Sequence, residues 1–200
     1  MSSLKQDRLP HREALLRQGV KQFFVYGYHG TTVDGLLEAS GVPKGSFYHH
    51  FGTKEAFAAV VIQRYGQFHR ETLDGWVSRT ELSTSDKLAG YVRQLANNFI
   101  SSGYIYSNLV GKLATEVATS SPALREEIRT MMSAWRSDIV PVLEDGQRSG
   151  DVRRDRTAAD LAAAINAVID GTFLVAQSTH DDALFDSAIA AVRRIIEPSR

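Results

Sequence analysis

Residues 32–51 read TVDGLLEASGVPKGSFYHHF, and this stretch decides the fold. Val33, Leu36 and Leu37 recur at the spacing of one helical face, and Thr31 and Thr32 just ahead of them can each cap its start. Gly41 ends that short helix, because the link to the next one must turn tightly and glycine takes up a left-handed backbone without a Cβ penalty. After Pro43 a very short second helix runs from Lys44 to His50. Val42 and Phe47 are placed to lock it against Val33 and Leu36, the arrangement of a helix-turn-helix. Lys44, Ser46, Tyr48 and His49 then remain outward, a set of charged, hydroxyl and aromatic hydrogen-bonding groups suited to phosphates and base edges. Phe47 and Phe51 read as core, and His50 is as well suited to capping or packing as to an outward contact.

Helical signals continue on both sides. Leu16, Val20, Phe23 and Phe24 predict a first helix over roughly 9–26, closed by Gly27 and Gly30, with Arg8, His11 and Arg12 as a basic group near its start. Downstream, Gly52-Thr53-Lys54-Glu55 is a break followed by a new cap. A long helix follows to about Val77, with an inward stripe of Phe57, Val61, Tyr65, Phe68 and Trp76. Arg79 to Thr84 reads as a loop and Ser85-Asp86 as the opening of a helix ending near Ser101. Further helices are predicted over about 106–119, from Pro122 to about Arg148, from Thr157 to Gln177 and from Asp182 to Ile196. The expectation is an all-α chain of about nine helices. A three-helix head over 1–52 carries the helix-turn-helix, and a helical body spans 53–200.

Composition sets bounds on what such a chain does. Its 200 residues are 43% hydrophobic, enough for a sizeable core, and contain no cysteine, which removes disulfides, thiolate metal sites and thiol redox chemistry. No run of roughly 18 to 20 uninterrupted apolar residues spans a bilayer and no apolar leader segment precedes the first helix, so the expectation is a cytoplasmic protein with no membrane partner. The zero net charge hides an uneven distribution. Residues 1–54 carry seven Lys and Arg against four Asp and Glu, and residues 55–200 carry sixteen against nineteen. The first quarter is therefore the part suited to face a polyanion.

The run Val33, Leu36, Gly41, Val42, Lys44, Gly45, Tyr48 and Phe51, extended forward to Lys54-Glu55 and back through Thr31-Thr32 to Gly27, strongly resembles the DNA-binding element of the TetR family of bacterial regulators. Specific resemblance covers about residues 12–62. It implies a homodimeric, ligand-responsive regulator that binds double-stranded operator DNA and, by family habit, represses. It further implies that Lys44 and Tyr48 hold phosphates, that Thr32 and Lys54 add contacts near helix starts, and that Gly45 lets the DNA backbone approach. Ser46 and His49, projecting between those anchors, are the candidate base-edge readers. Leu37 departs from the small alanine common in the family, which suggests different packing between the first helices.

In this family the body encloses an effector pocket, and the last two long helices pair with their copies. The small-residue helix from Thr157 and the apolar helix from Asp182 fit that pairing, because such wide apolar coverage needs partners on more than one side. Candidate effector contacts are Tyr65, Phe68, Phe99, Tyr106, Asn108, Lys112, Glu116, Trp135 and Phe173. The stretch SNLVGKLATE, residues 107–116, resembles the branch that regulates detoxification genes in response to reactive electrophiles. Some members of that branch carry a sensing cysteine where this chain has Asn108. With no cysteine, reversible binding is the expected trigger. No cofactor or metal is expected, nor an enzyme: there is no G-x-x-x-x-G-K-[ST], G-x-S-x-G or H-E-x-x-H, and no histidine has a carboxylate three positions away.

Overall fold

The computed structural model describes residues 8–198. Those residues form nine helices and no strand: α1 Arg8–Gly30, α2 Val33–Ser40, α3 Lys44–Phe51, α4 Lys54–Val77, α5 Thr84–Ser101, α6 Leu109–Val117, α7 Pro122–Ser149, α8 Ala158–Thr179 and α9 Ala183–Ile196. The Arg8 side chain lies outside the described residues.

The chain forms two compact units. One runs up to Tyr65 and includes Leu109–Met131; the other comprises Gly66–Asn108 and the chain from Met132 onward. The first unit is built on Phe57, whose ring meets Phe23 at 5.9 Å, Phe47 at 5.3 Å and Phe51 at 4.8 Å. Four rings from α1, α3 and α4 thus share one buried cluster, and α2 contributes the fully buried Leu36 to the core. The second unit is an α5, α8 and α9 bundle with parts of α4 and α7. Phe99, Phe173 and Phe185 meet there at centroid distances of 5.2–5.9 Å.

Helix ends follow local chemistry. Thr32 caps α2 by accepting from the Gly35 N–H, while Thr31 is buried and donates to the Gly27 carbonyl, so only one of the two candidate threonines caps. α5 starts at Thr84, one residue before its expected opening. Ser83 accepts from the Asp86 N–H at 3.1 Å and donates to the Asp86 carboxylate at 2.7 Å, a reciprocal cap that the carboxylate at the third position makes possible. α6 begins at Leu109, later than expected, because the Ser102 hydroxyl accepts from both the Ile105 and Tyr106 N–H groups and holds them in a turn.

The inward stripe of α4 also differs from expectation. Phe57, Val61 and Leu73 are buried, but Phe68 is 42% exposed and its neighbour His69 is buried instead. The His69 Nδ1 lies 2.9 Å from the Tyr91 hydroxyl, and the Trp135 indole N–H donates to that same oxygen at 2.8 Å. Partners on α5 and α7 therefore satisfy a ring that hydropathy alone would send outward. Burial lowers the His69 pKa from 6.5 to about 4, so the ring is neutral near pH 7.

α8 is long and apolar enough, by length and composition, to cross a membrane, yet it belongs to the core of the second unit along one face only. Leu174 is 70% exposed and Val175 48% exposed on the other.

Candidate nucleic-acid interface

The geometry of α2 and α3 follows from one turn. Gly41 has φ +67° and ψ 20°, a left-handed C-cap, and its conformation redirects the chain within two residues into α3. Val42, Phe47 and Phe51 then face inward and are buried. With α3 only eight residues long, burying Phe47 and Phe51 leaves Lys44, Gly45, Tyr48 and His49 exposed on the remaining surface. A Cβ placed on Gly45 would meet open space, so glycine here leaves the helix start open to close approach. Gln22 adds a tie that the hydrophobic pattern does not reveal: its side-chain amide donates to the Gly35 carbonyl at 3.0 Å, fixing α2 to α1.

The candidate contacts occupy different states in the free chain. Tyr48 stands 49% exposed, with its ring edge against Phe47 at 5.4 Å. Lys44 reaches back to Asp34 at 3.2 Å, and that hydrogen bond, with the carboxylate charge, raises its pKa. Ser46 is half-buried and its hydroxyl lies 3.3 Å from His11 Nδ1, while His49 is exposed. Thr32, exposed, holds the α2 cap. Lys54 seats its ammonium 4.4 Å over the Tyr28 ring, and partial burial there lowers its pKa. Arg12 lies 5.8 Å from the Phe51 ring. Lys44, Gly45, Tyr48 and His49 therefore share one helix, and Thr32 and Lys54 stand at the starts of the helices flanking it.

The candidate effector contacts divide between the two units. In the first, Tyr65 meets Phe24 edge-on at 5.9 Å. Lys112 donates to the Phe24 carbonyl at 2.7 Å and the Val25 carbonyl at 3.2 Å, and Glu116 accepts from the His29 N–H at 3.0 Å. In the second, Phe99 and Phe173 are core rings, Trp135 is committed to Tyr91, and Phe68 and Tyr106 are exposed. Asn108 donates to Asp170 at 2.8 Å. Burial raises the Asp170 pKa from 3.8 to about 6. Sequence reasoning missed His69, Tyr91 and Asp170. Of these Asp170 carried a usable signal, a carboxylate within the otherwise apolar run AVIDGTF of residues 167–173.

Two family models match this chain. One, described as bacterial regulatory proteins of the tetR family, covers residues 15–61; the other, described as a tetracyclin repressor-like C-terminal domain, covers residues 107–192. The HTH-type transcriptional repressor DhaR of Mycobacterium sp. (strain GP1) is 27% identical over 192 residues, which is 96% of this chain and 95% of that one. The HTH-type transcriptional repressor NemR of Escherichia coli (strain K12) is 29% identical over 189 residues, 92% of this chain and 93% of its own. The crystal structure of the reduced form of E. coli NemR matches with a TM-score of 0.85 at 28% identity, covering 93% of this chain and 96% of that one.

Proposed function

The chain belongs to the TetR family of bacterial regulatory proteins, and on that basis we propose that this DNA-binding regulator is a repressor released from a palindromic operator by a small-molecule effector. The observation that carries the reading is the exposed face of α3. Lys44, Gly45, Tyr48 and His49 point outward from a helix whose opposite side is fixed by Phe47 and Phe51. Lys44 and Tyr48 bind phosphates on either side of the groove, Thr32 and Lys54 extend that contact, and His49 with Ser46 reads base edges. Phosphate contacts position the helix; the base-edge groups select the sequence. Two relatives carrying the name of repressor support the sign of regulation.

Dimerisation follows from α8. A helix apolar enough to cross a membrane yet exposing Leu174 and Val175 is matched by a second copy of the same face, since a two-fold interface buries identical patches against each other. Two recognition helices then enter successive major grooves about 34 Å apart, which requires an operator of two inverted half-sites. In functional terms residues 1–52 bind DNA and residues 53–200 serve dimerisation and effector binding, in the cytoplasm where the operator is. The effector lowers DNA affinity by favouring a spacing of the heads that no longer matches the grooves. With no cysteine in the chain, it binds reversibly.

Selection of bound duplexes from a random pool tests this reading. Recovery of an inverted repeat with half-sites about one helical turn apart supports it. Recovery of no sequence preference over the unselected pool rejects it.

A further inference from the structure

α1 is broken near its end. Gly27 sits inside it at φ +70° and ψ −173°, so the helical run stops at Tyr26 and a separate turn carries Tyr28 and His29. Such a break frees backbone groups that have no partner within the helix. α6 takes them up. The Lys112 ammonium donates to the carbonyls of Phe24 and Val25, where a cation is also favoured by the helix dipole. The Glu116 carboxylate accepts from the His29 N–H, and the His29 Nε2 lies 3.2 Å from the Glu116 carbonyl. The positive φ favours glycine at position 27, and a Cβ there would push the Glu116 carboxylate from its place on the His29 N–H.

What this clamp holds in place is Tyr28. Its ring carries the Lys54 ammonium at 4.4 Å, and the Glu116 carboxylate acts on the same ammonium from the other element. A further tie between these parts of the unit is the hydrogen bond from the Ser121 hydroxyl to Glu55, the residue after Lys54.

We infer that Lys112 and Glu116 are positioning residues for operator binding: from α6 they hold the broken end of α1, and with it the aromatic seat of Lys54, without touching DNA themselves. The inference rests on the DNA-binding reading above. A lysine is mobile on its own, and a seat that fixes its ammonium near one place lowers the ordering cost of its phosphate contact. Losing the clamp removes that contact while leaving the α3 face intact.

The test uses the duplex selected by the wild-type protein. Its dissociation constant is measured across salt for wild type, Lys112→Met, Lys112→Arg, Lys54→Gln and the Lys112→Met/Lys54→Gln double variant, beside thermal melting. Lys112→Met is expected to bind about tenfold more weakly, with only a small drop in melting temperature. Its salt slope falls by about one, as in Lys54→Gln. Lys112→Arg recovers most of the affinity, and the double variant is no weaker than the weaker single one, because both substitutions remove one contact. Glu116→Gln keeps an acceptor for the His29 N–H but loses the charge that faces Lys54, so it weakens binding less than Glu116→Ala does. Wild-type affinity and slope in Lys112→Met overturn the inference. So does full additivity with Lys54→Gln, or a loss that tracks a lower melting temperature and is not recovered by arginine. Tyr48→Ala serves as the control for the underlying reading: if it retains full affinity, the α3 interface fails, whatever the clamp variants do.

Discussion

The Lys44 ammonium and the Asp34 carboxylate stand 3.2 Å apart, joining the start of α3 to the first turn of α2. Both side chains are largely exposed, so water and salt screen the pair and it adds little to folding. If Lys44 binds phosphate as proposed, the effect of the pair falls on binding, because a phosphate taking Lys44 has to displace a carboxylate that also repels DNA. Asp34→Asn is therefore expected to tighten operator binding by about two- to fivefold at low salt, with the gain fading as salt rises. Filter binding or anisotropy at two salt concentrations checks it; weaker binding by the variant means that the pair holds Lys44 in its productive place.

Phe47 is the anchor that turns the rest of α3 outward. It is fully buried and meets Phe51, Phe57 and Tyr48 at 5.3–5.5 Å between ring centres. Phe47→Ala should cost about 3–5 kcal/mol of stability, and Phe47→Leu clearly less. Chemical denaturation of the two variants measures this; equal and small losses contradict a core role for the ring.

Two buried groups act in opposite senses on acid stability. His69, with its pKa lowered to about 4, favours folding while neutral, and that contribution is lost as pH falls from about 6.5 toward 4, where the unfolded chain gains a proton first. Asp170, raised to about 6, is penalised once charged, so its contribution moves the other way: stability declines as pH rises from about 4 to 6 and then levels. Over pH 4–6 the two largely offset. Asp170→Asn, which keeps an oxygen to accept from Asn108, is expected to melt about 2–4 °C higher than wild type at pH 7.5. Near pH 4.5 that advantage disappears, and the variant shows the steeper acid loss. A melting curve whose difference from wild type is the same at both pH values contradicts this assignment.

The exposed α8 face gives a further expectation. Among the described residues Leu174 is the most exposed of the large apolar side chains, at 70%. Leu174→Glu is expected to shift sedimentation from dimer to monomer and to weaken operator binding, since a single head captures only one half-site. A variant that remains dimeric places the interface elsewhere.

Much of this was legible in the residues. The run from Thr32 to Phe51 contains its own turn, core positions and outward groups, because a helix of eight residues with two inward phenylalanines has few ways to lie. The helix count and most ends were also readable from caps and from Pro122 at a first turn. What could not be read was tertiary. His69 is inside and Phe68 outside because Tyr91, 22 residues further on, supplies a hydrogen-bond partner. Lys112 and Glu116 resemble polar groups on an inner face, yet they are spent on backbone at Phe24, Val25 and His29, more than 80 residues away along the chain. No local pattern encodes a partner at that distance.

Whether the outward face of α3 binds the operator is decided by Tyr48→Ala. Wild type and variant are titrated with the selected duplex between about 50 and 200 mM salt. Wild type should lose roughly 10³-fold or more in affinity over that range if it neutralises six or more phosphates. The variant should show no preference for the selected duplex over a scrambled one at any salt, with dimer and helical content intact. Retention of wild-type affinity and preference by Tyr48→Ala means that α3 does not bind the operator through this face.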